Sequence, residues 1–241
     1  SEHYILTLGN RDVGSLNEFM AKLPGDEKQK LAQVREAYSY MMVHPGCKMM
    51  APGTDMPEGL AKCIQALNTL YKSSPALYQM DDEYDGFEWV QLMKYEENVI
   101  TFLRKTEKPE ETLLVICNFA AIPYENYQVG VPFAGKYKEI FNSDAVEFGG
   151  EGVVNSRVKT AKAEECDERE YSIKVKLPAL GVSIYSCTPG KAPARKKVTA
   201  AKTAKDKTAK DKTAGKLVRT VKAKTPAKKS VKEEKATEQD H

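Results

Sequence analysis

The amino-acid sequence predicts an α+β protein in which short β/α units precede an all-β antiparallel sandwich and a basic tail. Three observations lead to this prediction. Apolar residues recur at helical spacing within residues 1–80, short strand-like runs separated by turn residues fill residues 85–188, and residues 189–241 are of low complexity. We therefore expect three domains with these boundaries.

Two helices and two short strands are predicted in the first domain. Each helix is preceded by an aspartate that can cap its first turn, with Gln or Glu three residues later. The capping pairs are Asp26 with Gln29 and Asp55 with Glu58. A stripe of apolar residues at helical spacing follows each pair. The predicted elements are the strands His3–Leu8 and Cys47–Ala51, the helix Glu27–Val43, and a second helix that follows the Asp55 cap, has Pro57 in its first turn and runs to about Lys72.

The second domain is predicted to be an antiparallel sandwich. The run Leu113–Cys117 is apolar throughout, as in a buried central strand, whereas Ser172–Leu177 alternates strictly, as in a half-exposed strand. About eight such runs with turn signals between them favour two packed sheets. The predicted strands are Phe87–Leu92, Val99–Arg104, Leu113–Asn118, Tyr127–Val131, Tyr137–Phe141, Val158–Ala163, Tyr171–Leu177 and Val182–Cys187.

Charge is divided unevenly along the chain. Lys191–His241 contains 17 Lys and Arg against 6 Asp and Glu, a net charge of +11, which leaves −8 on residues 1–190 because the whole chain carries +3. The tail repeats the motif TAKDK at Thr203–Lys207 and Thr208–Lys212 and has no aromatic residue. With so few large apolar groups it cannot offset chain entropy by burial, so we expect it to be disordered.

The cysteines and the hydropathy pattern bear on cofactors and localisation. No cysteine pair has C-x-x-C or zinc-ligand spacing, so we expect core thiols in a reducing cytoplasm and no cofactor or metal. No apolar run approaches eighteen residues, so no membrane span is expected. The chain starts at Ser1 without a signal-peptide pattern. We expect a cytoplasmic protein that is processed or is a fragment of a longer one.

Four short motifs in the second domain occur in an order found in a known family. They are Ile116-Cys117-Asn118-Phe119, Gly130-Val131-Pro132, Asn142-Ser143-Asp144 and Gly149-Gly150. Each motif is weak alone, but the ordered set with similar spacings is specific. The set resembles the C-terminal all-β domain of bacterial glycogen (1,4-α-glucan) branching enzymes, which are part of the α-amylase superfamily.

The resemblance also covers the first domain. It implies that residues 1–80 are a remnant of the last β/α units of a (β/α)₈ barrel. Two units cannot close a barrel, so we expect the second helix to dock on the sandwich and the first helix, Glu27–Val43, to stay exposed. Self-association, or the missing barrel portion, would then cover it. The matching stretches are Leu23–Asp26, Tyr38–Met41, His44–Gly46, Ser74–Leu77 and Phe87–Trp89.

The resemblance implies a parent reaction in which an α-1,4-glucan is cut and rejoined through an α-1,6 bond. Such enzymes use a nucleophile and an acid/base carboxylate, which in this family lie in barrel segments absent from this chain. A third family carboxylate follows barrel strand seven, where alignment on Val13 places Asn10 and Arg11 at the family histidine and aspartate. Asp12 is the only candidate catalytic residue, and it would act only if this loop shifts by one residue. We expect a chain that contacts α-glucan without catalysing the reaction alone.

Three further residues have two interpretations each. Trp89 is either a core residue or a surface on which a sugar ring stacks. His44 precedes Pro45 at a helix end, where capping or packing is favoured over catalysis because no Ser or Cys motif accompanies it. Asp55 is better explained as a helix cap than as a sugar ligand, because the loop before it is short.

The basic tail defines the alternative function. Its Lys-, Ala-, Thr- and Pro-rich composition resembles the tails of linker-histone-like proteins. A segment of charge +11 would bind nucleic acid or another polyanion through phosphates without sequence preference. We favour a solubilising extension, because Asp206 and Asp211 interrupt the charge run.

Overall fold

A computed structural model describes residues 5–8, 16–50, 56–91 and 95–191. Asp12, Asp55 and the tail beyond residue 191 lie outside these ranges, so the predicted roles of Asp12 and the tail stay predictions. The predicted capping pair of Asp55 with Glu58 is wrong, because the second long helix begins at Glu58 with Pro57 as its N-cap, which puts Glu58 at the first helical position and not at the third. The chain divides into compact units at Ser1–Lys196 and Lys197–His241, and every described residue belongs to the first.

The described part of the first 80 residues contains three α-helices and a two-stranded parallel sheet. The α2 helix has the predicted bounds and a complete capping box, in which the Gln29 N–H donates to Asp26 Oδ1 at 2.9 Å and the Asp26 N–H donates to Gln29 Oε1 at 3.0 Å. The α1 helix was not predicted, because its six residues are too few to show a period. The elements are β1 (Ile5–Leu6), α1 (Leu16–Ala21), α2 (Glu27–Val43), β2 (Cys47–Lys48) and α3 (Glu58–Ser73).

The all-β antiparallel sandwich is confirmed. A six-stranded sheet has the order β3-β4-β5-β10-β7-β8, and a two-stranded sheet of β6 and β9 packs over one of its faces. Every pairing in these two sheets is antiparallel. The strands are β3 (Phe87–Gln91), β4 (Val99–Arg104), β5 (Leu113–Asn118), β6 (Tyr124–Val131), β7 (Gly135–Asn142), β8 (Lys159–Thr160), β9 (Tyr171–Leu177) and β10 (Gly181–Pro189).

Strand β5 is the centre of the core. It lies between β4 and β10, and all six of its residues are buried. Leu114 and Ile116 pack with the β6–β9 sheet, whereas Leu113, Val115 and Cys117 pack with the helices. Because β5 is covered on both faces, none of its side chains points to water and its residues do not alternate between apolar and polar. This explains the continuous apolar run in the sequence.

Both long helices pack on the six-stranded sheet, which corrects the prediction that Glu27–Val43 stays exposed. Met41 and Met42 of α2 and Leu67 of α3 share one core with β5 and β10. Nearer its N-terminus, α2 packs with α3 through Val34 and Leu60. The helices cover an apolar sheet face that would otherwise meet water, and this burial decides the arrangement.

All five cysteines lie within the described ranges. All five cysteines are free; Cys63, Cys117 and Cys187 are buried, whereas Cys166 is partly exposed and Cys47 is exposed. The prediction of core thiols therefore holds for three of them. Within the described ranges, no helix has the length and apolar content needed to span a bilayer.

Candidate functional site

A cleft of about 1020 Å³ lies beside strands β2 and β3. Its walls come from the end of α2, from Tyr71 at the end of α3, from the connection of residues 78–85, and from β3. Its size is at the upper end of small-molecule pockets. Since Asp12 is outside the described residues, this cleft is the best-defined candidate site.

Trp89 forms one aromatic surface of the cleft. Its side chain is on the edge strand β3 and is 38% exposed. The indole packs edge-to-face on Phe87, with ring centroids 4.9 Å apart, and on Phe102 at 5.6 Å. Trp89 thus combines both interpretations offered by the sequence, because it is anchored to the core and also presents ring surface to the cleft.

Tyrosines form the second aromatic surface. The rings of Tyr71 and Tyr78 are 5.7 Å apart, and Tyr84 is 95% exposed. Tyr84 begins a 3₁₀ turn, Tyr84–Gly86. A Cβ at Gly86 would lie 2.1 Å from the Met80 carbonyl oxygen, so glycine is needed for the connection to fold back against itself.

A buried ion pair fixes the floor of the cleft. The Arg104 guanidinium is fully buried, pairs with Asp81, and donates from Nη1 to the Val43 carbonyl at 2.6 Å. Asp81 also accepts from the Gly46 N–H at 3.2 Å, and Lys48 Nζ lies 3.5 Å from its carboxylate. Asp81 therefore joins the end of α2, β2 and β4, and its role is structural.

Acidic side chains outnumber basic ones in the lining of the cleft, but two of them, Asp81 and Glu88, are in ion pairs. Glu88 pairs with Lys105 at 2.7 Å and with Arg169. The lining contains five acidic side chains and a single lysine. The acidic residues are Asp81, Asp82, Glu83, Asp85 and Glu88. The carboxylates of the cleft can accept hydrogen bonds from a ligand that carries donors.

His44 has the packing role that the sequence favoured. Its backbone N–H caps α2 by donating to the Tyr40 carbonyl at 3.0 Å. Its ring packs with Tyr40 at 5.2 Å and with Phe87 at 5.7 Å. Burial lowers the pKa of the imidazole, which favours the neutral form. In the described part of the chain, no group of three or more potential metal ligands is present.

The motifs that carry the family resemblance are structural in this fold. Asn118 Nδ2 donates to the carbonyls of Ile122 at 2.9 Å and Pro178 at 2.7 Å. The Asp144 carboxylate accepts from the backbone N–H groups of Glu151 and Val153, both at 2.9 Å. These side chains replace backbone partners in tight loops, so the motifs report on the fold and not on a reaction centre.

Sequence reasoning missed Tyr78 and Tyr84. The signal that points to them is the stretch of residues 78–85, YQMDDEYD, in which tyrosines flank aspartates just before a strand. Tyrosine is enriched at binding surfaces, so tyrosines in a connection of charged residues are candidates for contact with a ligand.

The comparisons with known proteins agree with the fold. Residues 89–188 match the family described as alpha amylase, C-terminal all-beta domain. The chain is 35% identical over 207 residues to the 1,4-alpha-glucan branching enzyme GlgB of Oceanobacillus iheyensis, covering 77% of this chain and 32% of the relative. It is 34% identical over 213 residues to GlgB of Synechococcus elongatus, covering 79% of this chain and 27% of that relative.

The chain spans about a third of the length of the curated relatives it matches. The chain is also similar to a crystal structure of a variant of AmyP in complex with maltotriose, with a TM-score of 0.50 and 12% identity. The match covers 78% of this chain and 41% of the AmyP chain, and it shows similarity of fold alone. The alternative of a polyanion-binding protein finds no support in these comparisons.

Proposed function

We propose that this chain, which corresponds to the C-terminal portion of the bacterial 1,4-alpha-glucan branching enzymes, acts as the part of such an enzyme that supports the catalytic barrel and contacts α-glucan. The observation that carries the proposal is the 35% identity over 207 residues to GlgB of O. iheyensis. The match at residues 89–188 to an α-amylase C-terminal domain agrees with it. Cytoplasmic localisation is part of the proposal.

The first 80 residues fit the last β/α units of a (β/α)₈ barrel. β1 and β2 pair in parallel, and each is followed by helical segments, which is the order of such units. Ile5 of β1 is 67% exposed, and Met49, directly after β2, is 51% exposed. These apolar side chains suit a protein partner, which we take to be the remaining barrel strands or a second copy of this chain.

Catalysis is assigned to the missing part of the barrel. The reaction proposed for the whole enzyme is the transfer of an α-1,4-linked glucan segment to an α-1,6 position. Within this chain, Asp12 is the only candidate catalytic carboxylate, and alignment places Arg11 at the family position. The 241-residue chain therefore does not branch glucan by itself.

Amylose stained with iodine tests the absence of catalysis. Branching lowers the absorbance and shifts its maximum, so incubation with the purified chain should leave the stain unchanged. A shift that Asp12→Asn abolishes would make Asp12 catalytic. A shift that survives Asp12→Asn would contradict both the inactivity of the chain and the role of Asp12.

Co-sedimentation with glycogen tests the contact with α-glucan. The purified chain should pellet with glycogen, and free maltoheptaose should release it. A gel shift with unrelated DNA at two salt concentrations is the matching test of the tail. Binding to DNA, with a steep loss at higher salt and no pelleting with glycogen, would replace this proposal by the polyanion alternative.

A further inference from the structure

We propose that the cleft beside β3 is a binding site for a short α-glucan segment, with Trp89 and Tyr84 as its stacking surfaces. This inference deepens the proposed function and depends on it for the identity of the sugar. The family resemblance implies only that the chain contacts α-glucan, whereas this inference places that contact in the cleft.

The aromatic surfaces suit sugar rings. A pyranose ring has faces made of C–H groups and an equator of hydroxyls, so it packs face-on against an aromatic ring while its rim stays hydrogen-bonded. Trp and Tyr combine a large apolar face with a polar tip and lose few rotamers on binding. Trp89 is 38% exposed and Tyr84 is 95% exposed, so both offer ring surface in the unliganded protein.

The Trp89 surface is preorganised. Its ring contacts with Phe87 and with the fully buried Phe102 hold the indole in place before a ligand arrives. Phe102 is part of the main core on β4. Fixing a side chain beforehand removes an entropic cost from binding, which would otherwise be paid at each encounter.

The polar groups of the cleft suit hydroxyls. Carboxylates accept hydrogen bonds from sugar hydroxyls, and Glu83 and Asp85 are exposed beside Tyr84. The ligand class favoured by this combination is a polyol with apolar faces, and an α-glucan is the member of that class named by the relatives.

The single tryptophan makes the site directly measurable. The chain contains one Trp, so its emission reports on this cleft alone. Titration of the full chain with maltoheptaose should shift the Trp89 emission in a saturable way. Tyr84→Ala should raise the maltoheptaose concentration at half-saturation roughly tenfold, as for loss of a principal contact. Because Tyr84 is almost fully exposed, this change should leave folding intact.

A matched control separates the cleft from the rest of the surface. Phe119 is 42% exposed and is not among the residues that line the cleft, so Phe119→Ala should bind maltoheptaose and glycogen like the unchanged chain. Trp89→Ala should lose pelleting with glycogen, and Trp89→Phe should recover part of it. Urea unfolding of each variant checks that the fold is retained.

The outcomes distinguish this inference from the proposed function. If the unchanged chain neither pellets with glycogen nor shows a change in emission, both fail. If it pellets with glycogen while emission is unchanged and Tyr84→Ala binds like Phe119→Ala, then glucan is bound elsewhere. That result would overturn the cleft proposal and leave the proposed function standing.

Discussion

Glu36 is a carboxyl group on the buried side of α2. Its side chain is 4% exposed, and its Oε1 atom has no hydrogen-bond partner among the described residues. Burial raises the pKa of Glu36 to about 8, because desolvation disfavours the charged form. At neutral pH the folded chain therefore holds Glu36 mainly in its protonated form.

This raised pKa makes stability depend on pH. Below about pH 4 the carboxyl group of Glu36 is protonated in both the folded and the unfolded state, so it adds no pH dependence to the free energy of unfolding. Between there and pH 8 the unfolded state releases the proton while the folded state keeps it, so the free energy of unfolding falls as pH rises. The loss is on the order of 5 kcal/mol across the interval.

Substitution of Glu36 isolates the effect. Glu36→Gln should flatten the pH dependence of unfolding between pH 5 and 8 and should raise stability at pH 8, measured by urea denaturation. Glu27→Gln, at an exposed position of the same helix, is the control and should follow the unchanged chain. Equal pH dependence in the two variants would show that Glu36 ionises normally in the folded state.

Ile116 tests the central position of β5. Its side chain is 1% exposed between the two sheets, so Ile116→Ala should cost roughly 2–5 kcal/mol of unfolding free energy. Ile122→Ala, at a position that is 64% exposed, should cost far less. A loss below about half a kcal/mol for Ile116→Ala would mean that the packing of β5 is misjudged.

At the scale of elements, the contact between α3 and the sandwich is close enough to require glycine. A Cβ on Gly59 would lie 2.6 Å from the Phe148 carbonyl oxygen, a backbone atom that cannot rotate away. Gly59→Ala should therefore destabilise the chain by about 1–3 kcal/mol. Helix propensity alone predicts the opposite sign, a gain of about 1 kcal/mol.

The sign of the Gly59 effect is the test. Urea unfolding of Gly59→Ala is compared with that of Asn68→Ala, an exposed position on the same helix where alanine should be neutral or slightly stabilising. If both variants are stabilised equally, α3 does not approach Phe148 as closely as described.

The strands were predictable because turn residues bound them and their polarity pattern is clear. Val99–Arg104, Leu113–Asn118 and Tyr171–Leu177 have the bounds that the sequence predicts. The docking of α2 was not predictable, because Arg35, Glu36 and Ser39 are buried there and interrupt the apolar stripe. Only the fold shows their surroundings; for example, Arg35 Nε donates to the Ser143 carbonyl at 2.9 Å.

The candidate site was predictable only in part. Trp89 was recognised as ambiguous from its type and its strand, and the structure shows a side chain that packs on the core and is also partly exposed. Tyr84 and Asp81 are brought to the same cleft by a connection with no regular pattern. A buried pair such as Asp81 and Arg104 joins residues 23 positions apart, and local periodicity carries no information about such a contact.

On the scale of the whole molecule, helices and sandwich share one core. Residues of α2 and α3 pack on one face of β5, and the β6–β9 sheet packs on the other. This sharing explains how α2 and α3 are ordered beside the β domain. It also implies that the β domain should function in a related enzyme whose own helices offer a similar face.

The most direct test of the account is a chimera. Residues 85–188 replace the corresponding β domain of GlgB from O. iheyensis, and branching is measured by the iodine stain of amylose beside the intact enzyme and an enzyme lacking the domain. The account predicts that the chimera branches amylose well above the truncated enzyme. A chimera that folds, as judged by a cooperative melt, yet branches no better than the truncated enzyme would contradict it.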